Sequence, residues 1–431
     1  MDNQSPSVNK STPLIPGKIL YPFILLTSCF AWWGLANNMT DTLLAAFKRI
    51  MSMSDFQTSL IQIAFYGSYF CFALPGALFI RKYTYKAGVL LGLGMFILGG
   101  LLFYPASITM TYWHFLAALY ILAGGLSILE TSANPYVISL GPEATATQRL
   151  NLAQSFNPIG SISGVVISKF FILSHLVQLS ASERASLDPA ELKTIQFAEL
   201  NAVMGPYVVV AFILLVIWIL ILRAKMPVDT LADVNHDIHL GRTLKRLSKN
   251  KNYIVSVVAQ FFYVGAQICV WSFTIRYVMG ALGLNEDESS TYYIAALILF
   301  ALSRFISTWL MSAFSPGKIL ITLSLLAMAL TSIVIIGDGL LGVIALVGIS
   351  GCMSLMFPTI FGLGVRGLKG DTKIAGSGHI MAILGGAVLT AIQGQVSDLT
   401  GNIHLSFIVP LICFGIVALY GFISIQKKYE I

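Results

Sequence analysis

Long apolar runs alternate with short polar breaks along this chain, and the runs are too long and too uniformly apolar for the core helices of a water-soluble domain. A helix needs about 20 mostly apolar residues to cross the hydrocarbon of a bilayer. Stretches of that kind lie at 19–47, 55–80, 87–106, 111–139, 150–174, 201–223, 252–279, 289–312, 318–337, 340–366, 373–396 and 404–426. Arg81 and Lys82 divide the second from the third, while only Gly337-Asp338-Gly339 divides the ninth from the tenth. The longest polar connection, 224–251, leaves six spans on each side. The pattern predicts an all-α membrane protein with twelve transmembrane helices in two pseudo-symmetric six-helix bundles. Its expected parts are a tail at 1–18, a first bundle at 19–223, a linker at 224–251 and a second bundle with its short tail at 252–431.

A weak internal echo fits duplication. Pro135 precedes Gly141 by six residues near the end of span four, and Pro358 precedes Gly364 by six near the end of span ten. Gly160 with Gly164, and Gly385 with Gly386, follow in the next span of each half.

Composition agrees with a bilayer. Of 431 residues, 56% are hydrophobic and 10% charged, against about 25% charged in soluble domains. Mean hydropathy is +0.81. The five cysteines, Cys29, Cys71, Cys269, Cys352 and Cys413, sit in apolar stretches without metal-ligand spacing and read as small buried residues. Residues 1–17 lack the features of a cleaved signal peptide.

The basic residues give the orientation. Lys and Arg favour cytoplasmic segments. With the N-terminus inside, nineteen of the 26 fall at 1–18, 81–86, 149, 223–251, 318, 366–373 and 427–428. Five fall outside, and Lys169 and Arg304 fall within spans, where a snorkelling or loop-anchoring role is expected ahead of the other reading, a place in the cavity. The net charge of +7 therefore reads as membrane topology, and no nucleic-acid partner is expected. Both termini are expected in the cytoplasm.

Acidic residues inside spans cost several kcal/mol, of order 2.5–3.5 on insertion scales, and point to function. Two stand out: Asp41 in span one and Glu130 in span four. Trp33, Asn37 and Asp41 share one helical face, flanked by Asn38. Ser127, Glu130 and Asn134 share another. Span five carries Asn151, Gln154, Asn157 and Ser161; span seven carries Gln260, Tyr263, Gln267 and Trp271. Polar stripes of this kind line a cavity or a helix–helix contact, and for spans five and seven both readings stand. Amides beside indoles suit a sugar, because amides exchange hydrogen bonds with hydroxyls and an indole face packs a sugar's C–H face. A carboxyl in such a place carries a proton well, since burial favours its neutral form and water its ionised form. His379 lies within a span and receives no role.

These residues carry a resemblance. Ala36-Asn37-Asn38-Met39-Thr40-Asp41, Leu129-Glu130-Thr131-Ser132-Ala133-Asn134-Pro135, Arg149 to Asn157, Tyr263 to Gln267 with Trp271, and Pro358-Thr359-Ile360-Phe361 resemble the L-fucose:proton symporters. Those form part of the fucose–galactose–glucose group of the major facilitator superfamily, and the likeness runs from about residue 20 to the end. The resemblance implies the major facilitator fold and proton-coupled sugar uptake in a bacterial inner membrane. It implies proton coupling at Asp41 and Glu130, and substrate contacts from Trp33, Asn38, Glu130, Gln154, Asn157, Gln267 and Trp271. It implies no metal or other cofactor, the proton being the coupling ion; the expected partners are a sugar, a proton and the lipid bilayer, and the expected working unit is a monomer. Fucose members have Gln-Tyr where this chain has Met356 and Phe357, and Asn where it has Thr40. Those departures remove hydrogen-bonding groups and bear on whether fucose, galactose or glucose is preferred. A drug/proton antiporter shares the fold but expects a less amide-rich cavity, and a non-transporting sugar sensor expects a longer cytoplasmic segment. No nucleophile–base pair, metal motif or phosphate loop points to an enzyme.

Overall fold

The computed structural model describes residues 13–50, 55–172, 177, 183–184, 186–227 and 240–426. The first bundle is built from α1 (Leu20–Ile50), α2 (Asp55–Lys82), α3 (Tyr85–Thr109), α4 (Tyr112–Ser139), α5 (Ala146–Gln154), α6 (Asn157–Ile167) and α7 (Pro189–Arg223). A short linker helix, α8 (Leu240–Lys249), precedes the second bundle. That bundle holds α9 (Lys251–Leu282), α10 (Glu286–Leu310), α11 (Pro316–Ile336), α12 (Gly339–Met353), α13 (Met356–Gly364), α14 (Thr372–Met381), α15 (Gly385–Thr400), α16 (Ile403–Ser406) and α17 (Ile408–Gln426).

Among the described residues, eleven helical segments are long and apolar enough to cross a membrane. The fifth expected span is present but differs in kind. It starts at Ala146 rather than 150, breaks at Ser155-Phe156, and ends in a π turn at Ser168–Ile172. Its first part, Ala146–Gln154, carries Gln148, Arg149, Asn151 and Gln154, so it lacks the apolarity of a lipid-facing helix. The sixth span is also longer than its apolar run. Asp188 caps it through the Ala190 N–H, and α7 runs 35 residues from Pro189, about 52 Å at 1.5 Å per residue.

Two breaks have the same cause. Pro158 sits in the first turn of α6 and Pro358 near the start of α13. Proline has no N–H to donate to the carbonyl four residues earlier, so each leaves one carbonyl of the preceding turn without its helical partner.

Close helix contact positions the first bundle's inner wall. α1 and α6 approach so nearly that a Cβ at Gly160 would fall 1.7 Å from the Ala31 carbonyl oxygen, and one at Gly34 would fall 2.1 Å from that of Asn157. Only glycine permits this approach, and it brings Asn157 and Ser161 of α6 beside Trp33 and Asn38 of α1. The bundles meet along α2 and α4 against α14, and α5 against α10 and α13.

Candidate functional site

Where the bundles meet lies a cavity of about 160 Å³. The first bundle contributes Trp33, Asn38, Tyr66, Tyr69, Gln154, Asn157 and Ser161. The second contributes Gln267, Trp271, Tyr293, Arg304 and an apolar wall of Val264, Ile268, Leu297, Phe300, Phe357 and Ile383. The first bundle's share is the richer in amides and hydroxyls, while the second bundle's, apart from Gln267, Tyr293 and Arg304, is aromatic and aliphatic surface.

The indoles present their faces. Trp33 donates its N–H to the Tyr69 hydroxyl at 2.9 Å, and Trp271 donates to the Ser350 hydroxyl at 3.2 Å. Trp271 also packs edge-on to Phe300, with ring centroids 5.0 Å apart. With their only polar groups engaged, both rings are left to contact C–H surface.

The amides are held by their donor ends. Gln154 Nε2 donates to Asn134 Oδ1 at 2.8 Å, Asn157 Nδ2 to the Phe30 carbonyl at 3.3 Å, and Asn38 Nδ2 to the Gly34 carbonyl at 3.2 Å. These bonds orient the side chains while the side-chain oxygens of Gln154 and Asn157 accept nothing among the described residues. Gln267 lines the cavity from α9 without a hydrogen bond of its own among them. Such groups can exchange hydrogen bonds with a ligand's hydroxyls.

Glu130 lies behind this wall. It is 1% exposed, in the buried middle of α4, and is not a lining residue. The Tyr69 hydroxyl faces its carboxyl, so Trp33, Tyr69 and Glu130 run in series from the cavity inward. Neither carboxyl oxygen makes a hydrogen bond of normal geometry. Asp41 and Thr40 lie along α1, but their side chains, like that of Asn37, fall outside the described residues.

Other expectations separate. Of the span-seven stripe, Gln267 and Trp271 reach the cavity, whereas Gln260 and Tyr263 are fully buried within the second bundle. Tyr263 donates there to the Met353 carbonyl at 3.0 Å. Phe357 lines the cavity and Met356 does not; Met356 is fully buried. His379 is buried beside Ser256, 3.2 Å from its hydroxyl.

The Lys169 side chain falls outside the described residues, whereas Arg304 overturns the snorkelling expectation in favour of the cavity position. It neither snorkels nor anchors a loop, being 3% exposed in the cavity wall. Its Nη1 donates to the Gln154 carbonyl at 2.9 Å and its Nε to the Ser354 carbonyl, while its guanidinium lies over the Phe300 ring at 4.6 Å. Its charge inside a span was a visible signal; its partners, 50 and 150 residues earlier or later, were not. Tyr66, Tyr69 and Tyr293 were also missed, because aromatics in an apolar helix look like core. Among the described residues, no group of three or more His, Cys, Asp or Glu could hold a metal ion.

Residues 23–378 match the family model described as Major Facilitator Superfamily. The chain belongs to that superfamily. Within it, the chain is 39% identical over 416 residues to the L-fucose-proton symporter of Haemophilus influenzae, covering 94% of this chain and 96% of that one. It is 39% identical over 407 residues to the L-fucose-proton symporter of Escherichia coli, covering 93% and 92%. A glucose/galactose transporter of Brucella abortus is 33% identical over 411 residues, covering 94% of each. The crystal structure of the E. coli fucose:proton symporter superposes with a TM-score of 0.88 at 38% identity, covering 94% of this chain and 98% of that one. A proton:xylose symporter at 12% identity and TM-score 0.65 shares the major facilitator fold alone.

Proposed function

We propose that this protein takes up a sugar together with a proton by alternating access, with L-fucose as its substrate. The observation that carries the reading is the two-faced cavity with a buried carboxyl in series behind it. Amide oxygens of Gln154 and Asn157, and both ends of Gln267, address sugar hydroxyls; the faces of Trp33 and Trp271 address the ring's C–H surface. The apolar second wall around Phe300, Leu297 and Phe357 favours a sugar with an apolar corner, and the methyl group of a 6-deoxyhexose supplies one. Galactose or glucose, each with a hydroxyl at that carbon, is the alternative, and the Brucella relative supports it.

Proton coupling is assigned to Asp41 and Glu130. A sugar hydroxyl reaching Tyr69 or Trp33 competes for the bond between those two side chains and so changes what the Tyr69 hydroxyl presents to the Glu130 carboxyl, which links sugar occupancy to proton occupancy. Water reaching the carboxyl from the opposite side then releases the proton. With this reading go a bacterial inner-membrane location, both termini in the cytoplasm, a monomeric working unit, and bundles bounded at 19–223 and 252–431. No cofactor other than the proton is required.

The test is sugar-stimulated proton uptake. L-fucose, galactose and glucose are added in turn to lightly buffered vesicles holding the protein, with Asp41→Ala alongside. Alkalinisation by L-fucose that the variant lacks is the expected result. Absence of both pH change and labelled uptake with all three sugars overturns the reading.

A further inference from the structure

Three residues on one face of α5 reach the second bundle. Gln148, Asn151 and Gln154 are spaced by three. Gln148 Nε2 donates to the Thr308 carbonyl at 3.1 Å, and Asn151 Nδ2 donates to the Thr359 hydroxyl at 3.2 Å. The Gln154 carbonyl accepts from Arg304 Nη1 at 2.9 Å. Thr147 closes against Gly362, where a Cβ would fall 2.8 Å from its hydroxyl. Glu143, just before α5, accepts from the Gly367 N–H at 3.3 Å. The row runs from the cavity, at Gln154 and Arg304, toward the loops that hold the basic residues, at Glu143 and Gly367.

Arg304 differs from the rest of the row in the origin of its two partners. Gln154 is four residues before Pro158, and Ser354 is four residues before Pro358. Both carbonyls are therefore stripped of helical donors by a proline. One guanidinium satisfies both, one from each bundle, and its planar fork can serve two acceptors at once where an ammonium is a point charge. Separating the bundles here breaks the Gln154 bond and leaves that carbonyl bare until water arrives.

We propose that the α5 row is the barrier between the cavity and the basic-loop side, and that Arg304 is the positioning residue that holds it shut. The inference rests on the alternating-access reading. The two prolines make the barrier reversible: neither carbonyl has a helical donor to fall back on, so the bond to Arg304 is remade whenever the bundles return.

The test labels Thr147→Cys, in a chain whose five cysteines are replaced, with a membrane-impermeant maleimide in inside-out vesicles. Labelling is slow in this parent. In Arg304→Lys and Arg304→Gln it rises about tenfold or more, the effect of losing a charge-assisted bond, and active uptake of L-fucose falls correspondingly.

Adding Pro158→Ala and Pro358→Ala to Arg304→Gln restores helical donors to both carbonyls without linking the bundles. This triple variant serves if Arg304→Gln alone does not fold. It is expected to label quickly and to remain poor in uptake. Unchanged labelling in the Arg304 variants overturns the proposal, as does recovery of parental labelling and uptake in the triple variant. Faster labelling from the opposite face alone also overturns it. A parent that carries no sugar sinks the transport reading separately, and the labelling contrast still decides the barrier.

Discussion

Trp33 donates its indole N–H to the hydroxyl of Tyr69 at 2.9 Å, across 36 residues of chain and from α1 to α2. The same hydroxyl faces Glu130. The indole therefore holds the phenol that stands between sugar and acid.

Glu130→Gln keeps the shape and removes the titrating proton. Sugar-driven alkalinisation is expected to vanish, while exchange of labelled for unlabelled sugar, which needs no net proton movement, persists within about tenfold. Loss of both activities in a folded variant would show that Glu130 serves binding rather than coupling.

Tyr69→Phe cuts the series in the middle. Both the Trp33 N–H and Glu130 lose their neighbour, and an unpaired buried donor costs about 1–3 kcal/mol. Uptake is expected to fall about tenfold, with a larger effect on proton-coupled uptake than on exchange; equal loss in both would place Tyr69 in the sugar site alone.

Phe357 and Met356 give opposite predictions although they are neighbours. Phe357→Tyr adds to the apolar cavity wall the hydroxyl that fucose members carry there and is expected to change the ratio of KM for L-fucose to KM for galactose by about threefold, the effect of roughly one net hydrogen bond at most. Met356→Gln adds an amide to a fully buried site away from the cavity. That variant is expected to melt at lower temperature with its sugar ranking unchanged. Thermal unfolding and competition uptake check both.

At the α1–α6 contact, Gly160→Ala forces a Cβ into the Ala31 carbonyl, 1.7 Å away, and no flexible side chain can yield there. Its membrane-inserted, monodisperse yield is expected to drop severely. Gly205→Ala in α7, where nothing lies within 4 Å of the added carbon, is the control and is expected to be neutral or stabilising by up to about 1 kcal/mol. Equal yields would remove the close-approach argument.

Arg246 donates to Asp371 at 2.6 and 2.8 Å and to Thr243 at 3.1 Å, and Arg81 donates to the same threonine at 2.8 Å. Hydrogen bonding to Asp371, then its charge, holds the Arg246 guanidinium above its ordinary range. Arg246 is thus charged at any working pH, and its exposed pairing with Asp371 is weakened by salt. Because the arginine is exposed, Asp371→Asn is expected to leave uptake within about threefold of the parent. A loss beyond that, reversed by no change in salt, would assign the pair a structural role.

Much of this protein was legible along the chain because a bilayer imposes one-dimensional rules. Length and apolarity set the spans, the basic residues set an expected orientation, and an acid such as Glu130 is conspicuous where charge is costly. The stripe spacing brought Trp33, Asn38, Gln154, Asn157, Gln267 and Trp271 forward as candidates, and the fold sets all six around one cavity. The same spacing could not tell Gln267 from Gln260, since both sit on polar turns of one helix and only the neighbouring helices decide which is enclosed. Nor could it move Glu130 from the cavity wall to the position behind Tyr69. Arg304 marks the limit most clearly. Pro158, Pro358 and the arginine were all visible, and proline's missing donor is a local fact. That one guanidinium would answer both vacancies, from positions 50 and 150 residues away, was decided only when the bundles packed, because hydrogen bonds between distant segments leave no period in the sequence.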